Sequence, residues 1–329
     1  MSELPNLEAI LVLPRLRIQN ANAISSPLTH GFPSMTAFIG LMWAMERKAR
    51  AAGIDLRFPA VGVVVHRHEE QATPDRYVKT LHLTRNPNDR SGSPSPIVEE
   101  GRIHLELTLL LGVKGAALDD PTHTGPLTRQ LLDLLYGMRV AGGSLVPPRQ
   151  HRAEHVPYFM PLGGSEDDRL DVFASTVPNW LPGFTLVERP DLLLLRHDEL
   201  KANQPDATAL DALLSLARIN WHAGEPDADA DADAKIIWHN DRQGLGWVVP
   251  IPVGYGALTP ALAAGSVANA RDNETPLCLA ESLYSIGEWL SPHRLESVEQ
   301  LLWYPTTDLH TGLYRCRNGY QPELEHSFD

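Results

Sequence analysis

The segment HRAEH at residues 151–155 has the residue types and the spacing of a zinc-binding His-x-x-Glu-His motif. In that motif a single helix places both histidines on one face, within reach of the same ion. Prolines at positions 147, 148 and 157 leave little room for a helix around this segment. The sequence therefore favours a solvated loop, and we predict no metal site here.

A second candidate pair of metal ligands is His66 and His68, because alternate residues of a strand share one face. No acidic residue or cysteine of obvious ligand spacing joins them. The motifs GxxxxGK[ST], GxGxxG after a strand and GxSxG are all missing from the sequence. The alternative function that stays open is a metal-dependent nuclease or hydrolase that uses His66, His68, His151, Glu154 and His155.

A basic arm indicates a different chemistry, contact with phosphate groups. The stretch TRNPNDRSGSPSP at 84–96 has one acid, Asp89, among the following cations and amides: Arg85, Asn86, Asn88 and Arg90. Residues 76–90 contain four basic residues and one acidic residue, a local charge of +3, whereas the whole chain has a net charge of −13. Such a reversal of charge suits a nucleic acid. The tip of a soluble hairpin has the same composition, so both interpretations stay open.

Two further stretches combine cations with glycines or amides. Residues 139–152 have no acid and contain Arg139, Arg149 and Arg152. Gly142 and Gly143 would let the backbone approach a ligand closely, although a turn explains them equally well. The stretch VANARDN at 267–273 adds Asn269, Arg271 and Asn273.

Polar side chains also crowd the connection between the first predicted strand and the first predicted helix. The segment IQNANAISSPLTHGFPS at 18–34 contains Asn20, Asn22, Ser25, Ser26, Thr29, His30 and Ser34. Asn and Ser satisfy turns and cap helices, so some of these residues are expected only to shape the loop.

The spacing of apolar residues predicts the elements that position these candidates. In the first half we predict a strand at 9–18, a helix at 34–52, strands at 61–70, 78–84 and 102–113, a helix at 127–138 and a strand at 140–146. This β-α-β-β-α-β order is the ferredoxin-like pattern. In the second half we predict a strand at 181–189, a helix at 208–220, an acidic linker at 224–234, strand-like residues at 246–260 and a helix at 276–290.

Length and composition limit the class of protein. A chain of 329 residues, 43% of them apolar, is long enough for two domains or one elaborated domain. The net charge of −13 counts against binding naked nucleic acid through the overall field, but not against a local site. Cys278 and Cys316 form no CxxC pair, which counts against a disulfide scaffold. With no apolar run of membrane-spanning length, and with Glu3 and Glu8 where a signal peptide would be basic, we predict a cytoplasmic protein.

Stretches along nearly the whole chain resemble one family, in the same order. They are LPRLRIQNANAISSPLTHGFPS, LTRNPNDRSGS with IVEEGRIHLELTLLLGV, MRVAGGS, WLPGF, GWVVPIPVGYGALTP and NARDNETPLCLAESLYSIGEWLSPHR. The family is the Csy2 family, the Cas-five-type RAMP subunit of the type I-F CRISPR (Csy) surveillance complex. Residues 150–180 and 224–234 fit the resemblance poorly and are predicted to be variable surface segments.

The resemblance implies an α+β fold with a RAMP-type, ferredoxin-like (RRM-like) palm, an inserted thumb hairpin and a less regular second half. The expected boundaries are a palm at 1–146 with a thumb arm at 76–103, a variable middle segment at 147–245, and a C-terminal segment at 246–329 that completes the palm and contacts partners. The implied function is antiviral defence by a non-catalytic RNA-binding subunit without a metal or cofactor. Its implied partners are the 5′ handle of the crRNA, the large subunit at the tail, the terminal copy of the repeated backbone subunit and, through the complex, target DNA, with no membrane contact.

The resemblance also implies which residues contact the crRNA. The connection after the first strand matches the family segment near the RNA, where side chains donate to phosphates, read base edges or bond 2′-hydroxyl groups. Its candidates are Asn20, Asn22, Ser25, Ser26 and His30. The thumb candidates are Arg85, Asn86 and Arg90. Matching stretches elsewhere add Arg139, Gly142, Gly143, Arg271 and Asn273, whose roles are inferred from their chemistry.

Overall fold

The structure is a computed structural model that describes residues 4–76, 78–85, 88–89, 91–148, 152–224, 237–270 and 272–322. Five α-helices lie among these residues: α1 (Met35–Ala51), α2 (Thr124–Tyr136), α3 (Glu166–Thr176), α4 (Pro190–Asn203) and α5 (Ala209–Ala217). In this described part of the chain, no helix is both long enough and apolar enough to cross a membrane.

The same residues form strands that are numbered along the chain. In the first half they are β1 (Ala9–Asn22), β2 (Ile24–Ser26), β3 (Thr29–His30), β4 (Arg57–Glu70), β5 (Ala72–Asp75), β6 (Val78–Leu81), β7 (Leu83–Arg85), β8 (Ile97–Glu99), β9 (Arg102–Lys114), β10 (Arg139–Val140), β11 (Gly143–Val146) and β12 (Tyr158–Pro161). In the second half they are β13 (Phe184–Glu188), β14 (Trp221–Ala223), β15 (Trp238–Asn240), β16 (Trp247–Ala257), β17 (Ala280–Leu290), β18 (Trp303–Asp308) and β19 (Leu313–Asn318).

One antiparallel sheet of eleven strands joins both halves of the chain. Its order is β10-β11-β1-β9-β4-β13-β17-β16-β19-β18, and β12 pairs with the start of β1. At its far end β18 returns to β4, where Trp303 pairs with Val61. The α+β class predicted from the sequence is therefore confirmed.

The central strands β1, β9 and β4 are buried on both faces. On one face, Leu11 and Leu13 belong to the core that α1 and α2 cover. On the other face, Ile10 and Val12 pack in a second core that includes Phe173 of α3. The sheet is thus the middle layer of the fold, and it fixes the positions of the loops at its edges.

Helix α1 begins at Ser34, whose side chain accepts a hydrogen bond from the backbone N–H of Thr36 at 3.2 Å. Phe38, Met42 and Met45 share one face and are fully buried. The helix predicted at 34–52 therefore matches the observed one to within a residue at each end.

The helix predicted at 276–290 is wrong, because residues 280–290 form β17. This strand pairs with β13 on one side and β16 on the other. Its apolar residues Leu283, Ile286 and Leu290 are three and four positions apart, so the sequence imitates the apolar pattern of a helix.

The strand predicted at 140–146 is a tight hairpin of β10 and β11. Ala141 (φ 48°) and Gly142 (φ 78°) both have a left-handed backbone at the turn, as a two-residue turn of type I′ requires. Gly143 lies against β1, where a Cβ atom would come within 2.7 Å of the backbone nitrogen of Ala21. Both glycines therefore have a structural role in this hairpin.

The described part of the arm predicted at 76–103 contains β6, β7 and β8, which belong to two short ladders outside the main sheet. β5 pairs with β6, and β7 pairs with β8. The strand predicted at 78–84 is thus divided between β6 and β7. Farther along the chain, β14 and β15 pair on either side of the predicted acidic linker, which lies outside the described residues except for Gly224.

We predict that Gly143→Ala lowers the free energy of unfolding more than Gly142→Ala does. No neighbouring atom lies within 4 Å of a Cβ at position 142. The cost of alanine there is therefore only the strain of holding a non-glycine residue in a left-handed backbone conformation, about 1 kcal/mol. Alanine at position 143 would push β11 away from β1, at a cost of about 3 kcal/mol. Urea unfolding followed by circular dichroism measures both, and equal losses in the two variants would contradict the close approach.

Candidate nucleic-acid interface

The connection between β1 and α1, residues 23–34, forms one wall of a groove made of three cavities. The first, termed the aromatic cavity, has a volume of about 610 Å³ and is lined mainly by His30, Phe32, His66, His68, Glu70, Lys79, Phe184, Trp247 and Trp289. The second is smaller, about 90 Å³. The third, termed the helix cavity, has a volume of about 600 Å³ and is lined mainly by Asn22, Ser25, Ser34, Trp43, Arg139, Gly142, Tyr255 and Tyr314.

The three cavities adjoin one another along the connection. The aromatic cavity and the small cavity share four wall residues, among them Phe32 and Trp289. The small cavity and the helix cavity share Pro33 and Ser34. A single extended ligand could therefore follow the connection from the base of the arm to the β10–β11 hairpin.

Several predicted contact residues in the connection are engaged in shaping it. The Asn22 side chain donates to the Ile24 carbonyl at 2.7 Å and accepts from the Ile24 N–H at 3.1 Å. The Ser25 hydroxyl donates to the carbonyl of Phe32 at 3.0 Å. The Ser26 hydroxyl is 2.7 Å from that of Thr29 and is itself buried. These bonds hold the loop in one conformation.

Asn20 lies at a bulge, where the register between β1 and β9 shifts. Its backbone is left-handed (φ 56°), and its N–H donates to Nδ1 of His104 at 3.1 Å. The Asn20 side chain is exposed, and among the described residues it is not one of those that line the three cavities. The structure therefore separates Asn20 from Asn22 and His30, with which the sequence groups it.

The mouth of the aromatic cavity carries charged groups around Glu70. Nδ1 of His30 is 3.0 Å from one carboxylate oxygen of Glu70, and Nζ of Lys79 is 3.6 Å from the other. The His30 and Lys79 side chains are exposed, whereas that of Glu70 is largely buried. His30 was predicted from the sequence as a contact residue. The structure brings it next to Lys79 of the arm, which was not predicted as one.

The helix cavity brings Asn22 and Ser25 together with Arg139 of the distant β10–β11 hairpin. The hairpin is fixed there because the Asn22 N–H donates to the Ala141 carbonyl at 2.8 Å. Arg139 is exposed and donates to the carbonyl of Gly142 at 3.2 Å. This bond uses one of the five N–H donors of its guanidinium group.

Aromatic residues form the floor of the helix cavity. The ring of Tyr314 lies 6.0 Å from that of Trp43 and 6.2 Å from that of Tyr255, measured between centroids. Trp43 and Tyr255 are exposed, whereas burial raises the pKa of Tyr314, so its phenol stays neutral. Exposed rings beside hydrogen-bond donors are typical of surfaces that bind unpaired nucleotides.

Asn273, another predicted contact residue, does not line this groove. Asn273 is exposed in the loop between β16 and β17. For Arg85 the structure describes the backbone, in β7. Asn86, Arg90 and Arg271 lie outside the described residues. Their predicted contacts with RNA stay predictions.

Sequence reasoning missed the rings of the aromatic cavity, because single aromatic residues in strands usually belong to a core. Phe32, Phe184, Trp247 and Trp289 are separated by up to 257 positions in the chain (289 − 32). A usable signal was that all four lie in the stretches that carry the family resemblance, namely HGFPS, WLPGF, GWVVP and GEWL.

His66 is held as a neutral, fully bonded side chain. Its Nδ1 lies 2.8 Å from the Pro182 carbonyl, to which it donates, and its Nε2 lies 2.8 Å from the hydroxyl of Thr108, from which it accepts. Burial lowers the pKa of His66 below its usual value of 6.5. Both ring nitrogens are therefore occupied, which counts against His66 as a metal ligand, and the described residues contain no cluster of three or more potential metal ligands.

Comparison with known proteins adds independent evidence. The family model described as CRISPR-associated protein (Cas_Csy2) matches residues 11–316. The chain is also 46% identical, over 312 residues, to a Pseudomonas aeruginosa (strain UCBPP-PA14) protein named CRISPR-associated protein Csy2. That alignment covers 94% of each chain.

We predict that His66→Gln weakens the dependence of stability on pH. Because the pKa of His66 is lowered in the folded state, the unfolded chain takes up this proton at a higher pH than the folded one. The folded state therefore loses stability as the pH falls through about 6.5 towards the lowered pKa. Urea unfolding at pH 7.5, 6.5 and 5.5 should give a shallower decline for His66→Gln than for wild type or for His310→Gln, an exposed control. Equal declines in all three proteins would contradict this.

Proposed function

The chain belongs to the Csy2 family of CRISPR-associated proteins, and from this premise we propose that it is a non-catalytic, RNA-binding subunit of a type I-F CRISPR surveillance complex. It takes part in a CRISPR defence complex with other Csy subunits. In the proposal its own task is to hold the 5′ handle of the crRNA in the groove along residues 23–34. It works in the cytoplasm and needs no cofactor.

The observation that carries the proposal is the combination of exposed rings and hydrogen-bond donors along this groove. Single-stranded RNA presents bases that can stack on aromatic side chains, and phosphates and 2′-hydroxyl groups that accept hydrogen bonds. The groove offers Trp43, Tyr255 and Trp247 as exposed rings, with Arg139 and Lys79 as cations.

The charge of the groove indicates how such binding would work. The described wall residues include two cations, Lys79 and Arg139, and one acid, Glu70. On a chain with a net charge of −13, this is too little for long-range attraction of RNA. Affinity would therefore come mainly from stacking and hydrogen bonds. The positive electrostatic potential that attracts the RNA would come from other subunits of the complex, which are basic.

The proposal assigns a RAMP-type, ferredoxin-like palm to residues 1–146. Its support is that β11-β1-β9-β4 are neighbours in this order, which is the order 4-1-3-2 of the first-half strands. Further support is that Met42 of α1 and Leu131 of α2 belong to the same core. The thumb at 76–103 would begin in the β5–β6 ladder, and residues 246–329 would complete the palm through β16 to β19.

In addition to the C-terminal segment at 246–329, which we expect to contact partners, we assign the middle segment at 147–245 to protein partners. Supporting this, several large apolar side chains of α4, α5, the β14–β15 hairpin and the loop before it are exposed: Leu194, Leu195, Leu210, Leu214, Ile219, Trp221 and Trp238. In the proposal the partners are the large subunit at the tail and the terminal copy of the repeated backbone subunit. Target DNA would be met through the assembled complex.

We predict that the double variant Lys79→Ala and Arg139→Ala binds guide RNA more weakly and with a lower salt dependence. Each lost phosphate contact should reduce the slope of log affinity against log salt by about 1. Titration of the complex, assembled with its partner subunits, at several salt concentrations measures both quantities. Both side chains are exposed, so the fold should tolerate their removal.

The matched control is Lys48→Ala with Arg129→Ala, which removes two exposed cations of α1 and α2 that line none of the three cavities. This control should keep the wild-type slope. The proposal fails if the two double variants behave alike, or if wild-type complex purified from cells shows the ratio of absorbance at 260 to 280 nm of a protein free of RNA.

A further inference from the structure

The aromatic cavity exposes rings that a buried core would normally enclose. Trp247 is 53% exposed and Phe184 is 44% exposed. Their centroids are 5.9 Å apart, and Trp247 lies 6.0 Å from Trp289, which in turn lies 5.0 Å from Phe32. The four rings therefore form a continuous row along the wall of a cavity that is open to solvent.

This row is held rigidly by the main sheet. Trp247 of β16 pairs directly with Trp289 of β17, and Phe184 of β13 pairs with Val65 of β4. Phe32 closes the row by stacking at 5.4 Å on Phe38, which is fully buried. Because these rings are already ordered, a flat ligand stacked on them would lose little free energy to side-chain ordering.

The rim of the cavity is polar, in contrast to its floor. Glu70 lines the cavity, and its two carboxylate oxygens are contacted by His30 and Lys79. A carboxylate has about four acceptor positions, so these two contacts leave room for further donors. Lys79 at the same rim is exposed and can meet a phosphate.

We infer that the aromatic cavity takes one unpaired base of the bound RNA, and that this base carries an exocyclic amine. The base stacks on Trp247, its amine donates to Glu70, and its phosphate lies near Lys79. Adenine, cytosine and guanine have such an amine, whereas uracil can donate only from its ring N3–H, which is flanked by two carbonyl oxygens that the carboxylate repels. The inference rests on the proposed function, which it deepens by naming the chemical class of one bound base.

The alternative occupant of the aromatic cavity is an apolar side chain of a protein partner, which could also pack against the four rings. Such a side chain would use the floor of the cavity and leave the donors and acceptors of His30, Glu70 and Lys79 without a matching group. A nucleotide uses the floor and the rim together, so the rim favours RNA.

The test combines single abasic sites in the unpaired 5′ segment of the guide RNA with Trp247→Ala, in the complex assembled with its partners. His123→Ala is the control, because this ring is exposed at the start of α2 and lines none of the three cavities. At one position, an abasic site should weaken binding about 5- to 100-fold in wild type and in His123→Ala. In Trp247→Ala the same abasic site should have almost no further effect, because its stacking partner is already missing.

The outcomes separate this inference from the proposed function. If wild-type complex binds no guide RNA, the proposed function fails, and this inference fails with it. If RNA binds but every abasic site has the same effect in Trp247→Ala as in wild type, the inference alone is wrong. If wild-type protein binds its partner subunits in the absence of RNA and Trp247→Ala does not, the cavity holds a side chain of a partner protein. That result would also overturn the inference.

Glu70→Gln tests the preference for an amine. Guide RNA with uracil at the position found by the abasic scan should bind the wild-type complex at least about 5-fold more weakly than guide RNA with adenine there. Glu70→Gln should narrow this difference, because the amide can donate to a carbonyl of uracil. Equal binding of uracil and adenine by wild type would overturn the role of Glu70.

Discussion

Between β1 and α1 the chain has no partner strand in the main sheet, so its backbone groups bond to side chains of the connection and to neighbouring loops, as the Ala23 N–H does to the Gly101 carbonyl. A backbone N–H or C=O that is buried without a partner costs about 1–3 kcal/mol. Asn22, Ser25 and Ser26 supply such partners from their side chains, together with the short ladder of β2 and β3. The result is a fixed loop that borders all three cavities, and the groove exists only because this loop is fixed.

The sheet then brings distant parts of the chain to that loop. Its second half contributes Trp247 and Trp289 through paired strands, and the hairpin after α2 contributes Arg139. The arm contributes Lys79 at the other end of the groove. No local segment contains this combination, so the groove is a property of the complete sheet and would be lost if either half folded apart from the other.

Sequence patterns predicted the first half of the fold well, because apolar runs identified the central strands β1, β4 and β9 and the helical spacing of apolar residues identified α1 and α2. They failed at β17, because the apolar residues Leu283, Ile286 and Leu290 of this strand recur at the spacing of a helix. The polar connection was placed correctly, but Asn22, Ser25 and Ser26 mainly shape the loop. The rings of the aromatic cavity were out of reach, because the pairing of Trp247 with Trp289 depends on strand register that no local pattern reveals. The proposed contacts of Arg85 and Arg271 stay predictions.

Ultraviolet crosslinking of the assembled complex, followed by mass spectrometry of the peptides attached to RNA, measures most directly where the guide lies on this subunit. If the groove holds the guide, the crosslinked peptides of this chain should come from residues 23–34 and from strands β16 and β17, where aromatic side chains face the cavities. Crosslinks confined to α4, α5 and the β14–β15 hairpin, with none along the connection, would contradict an RNA-binding groove.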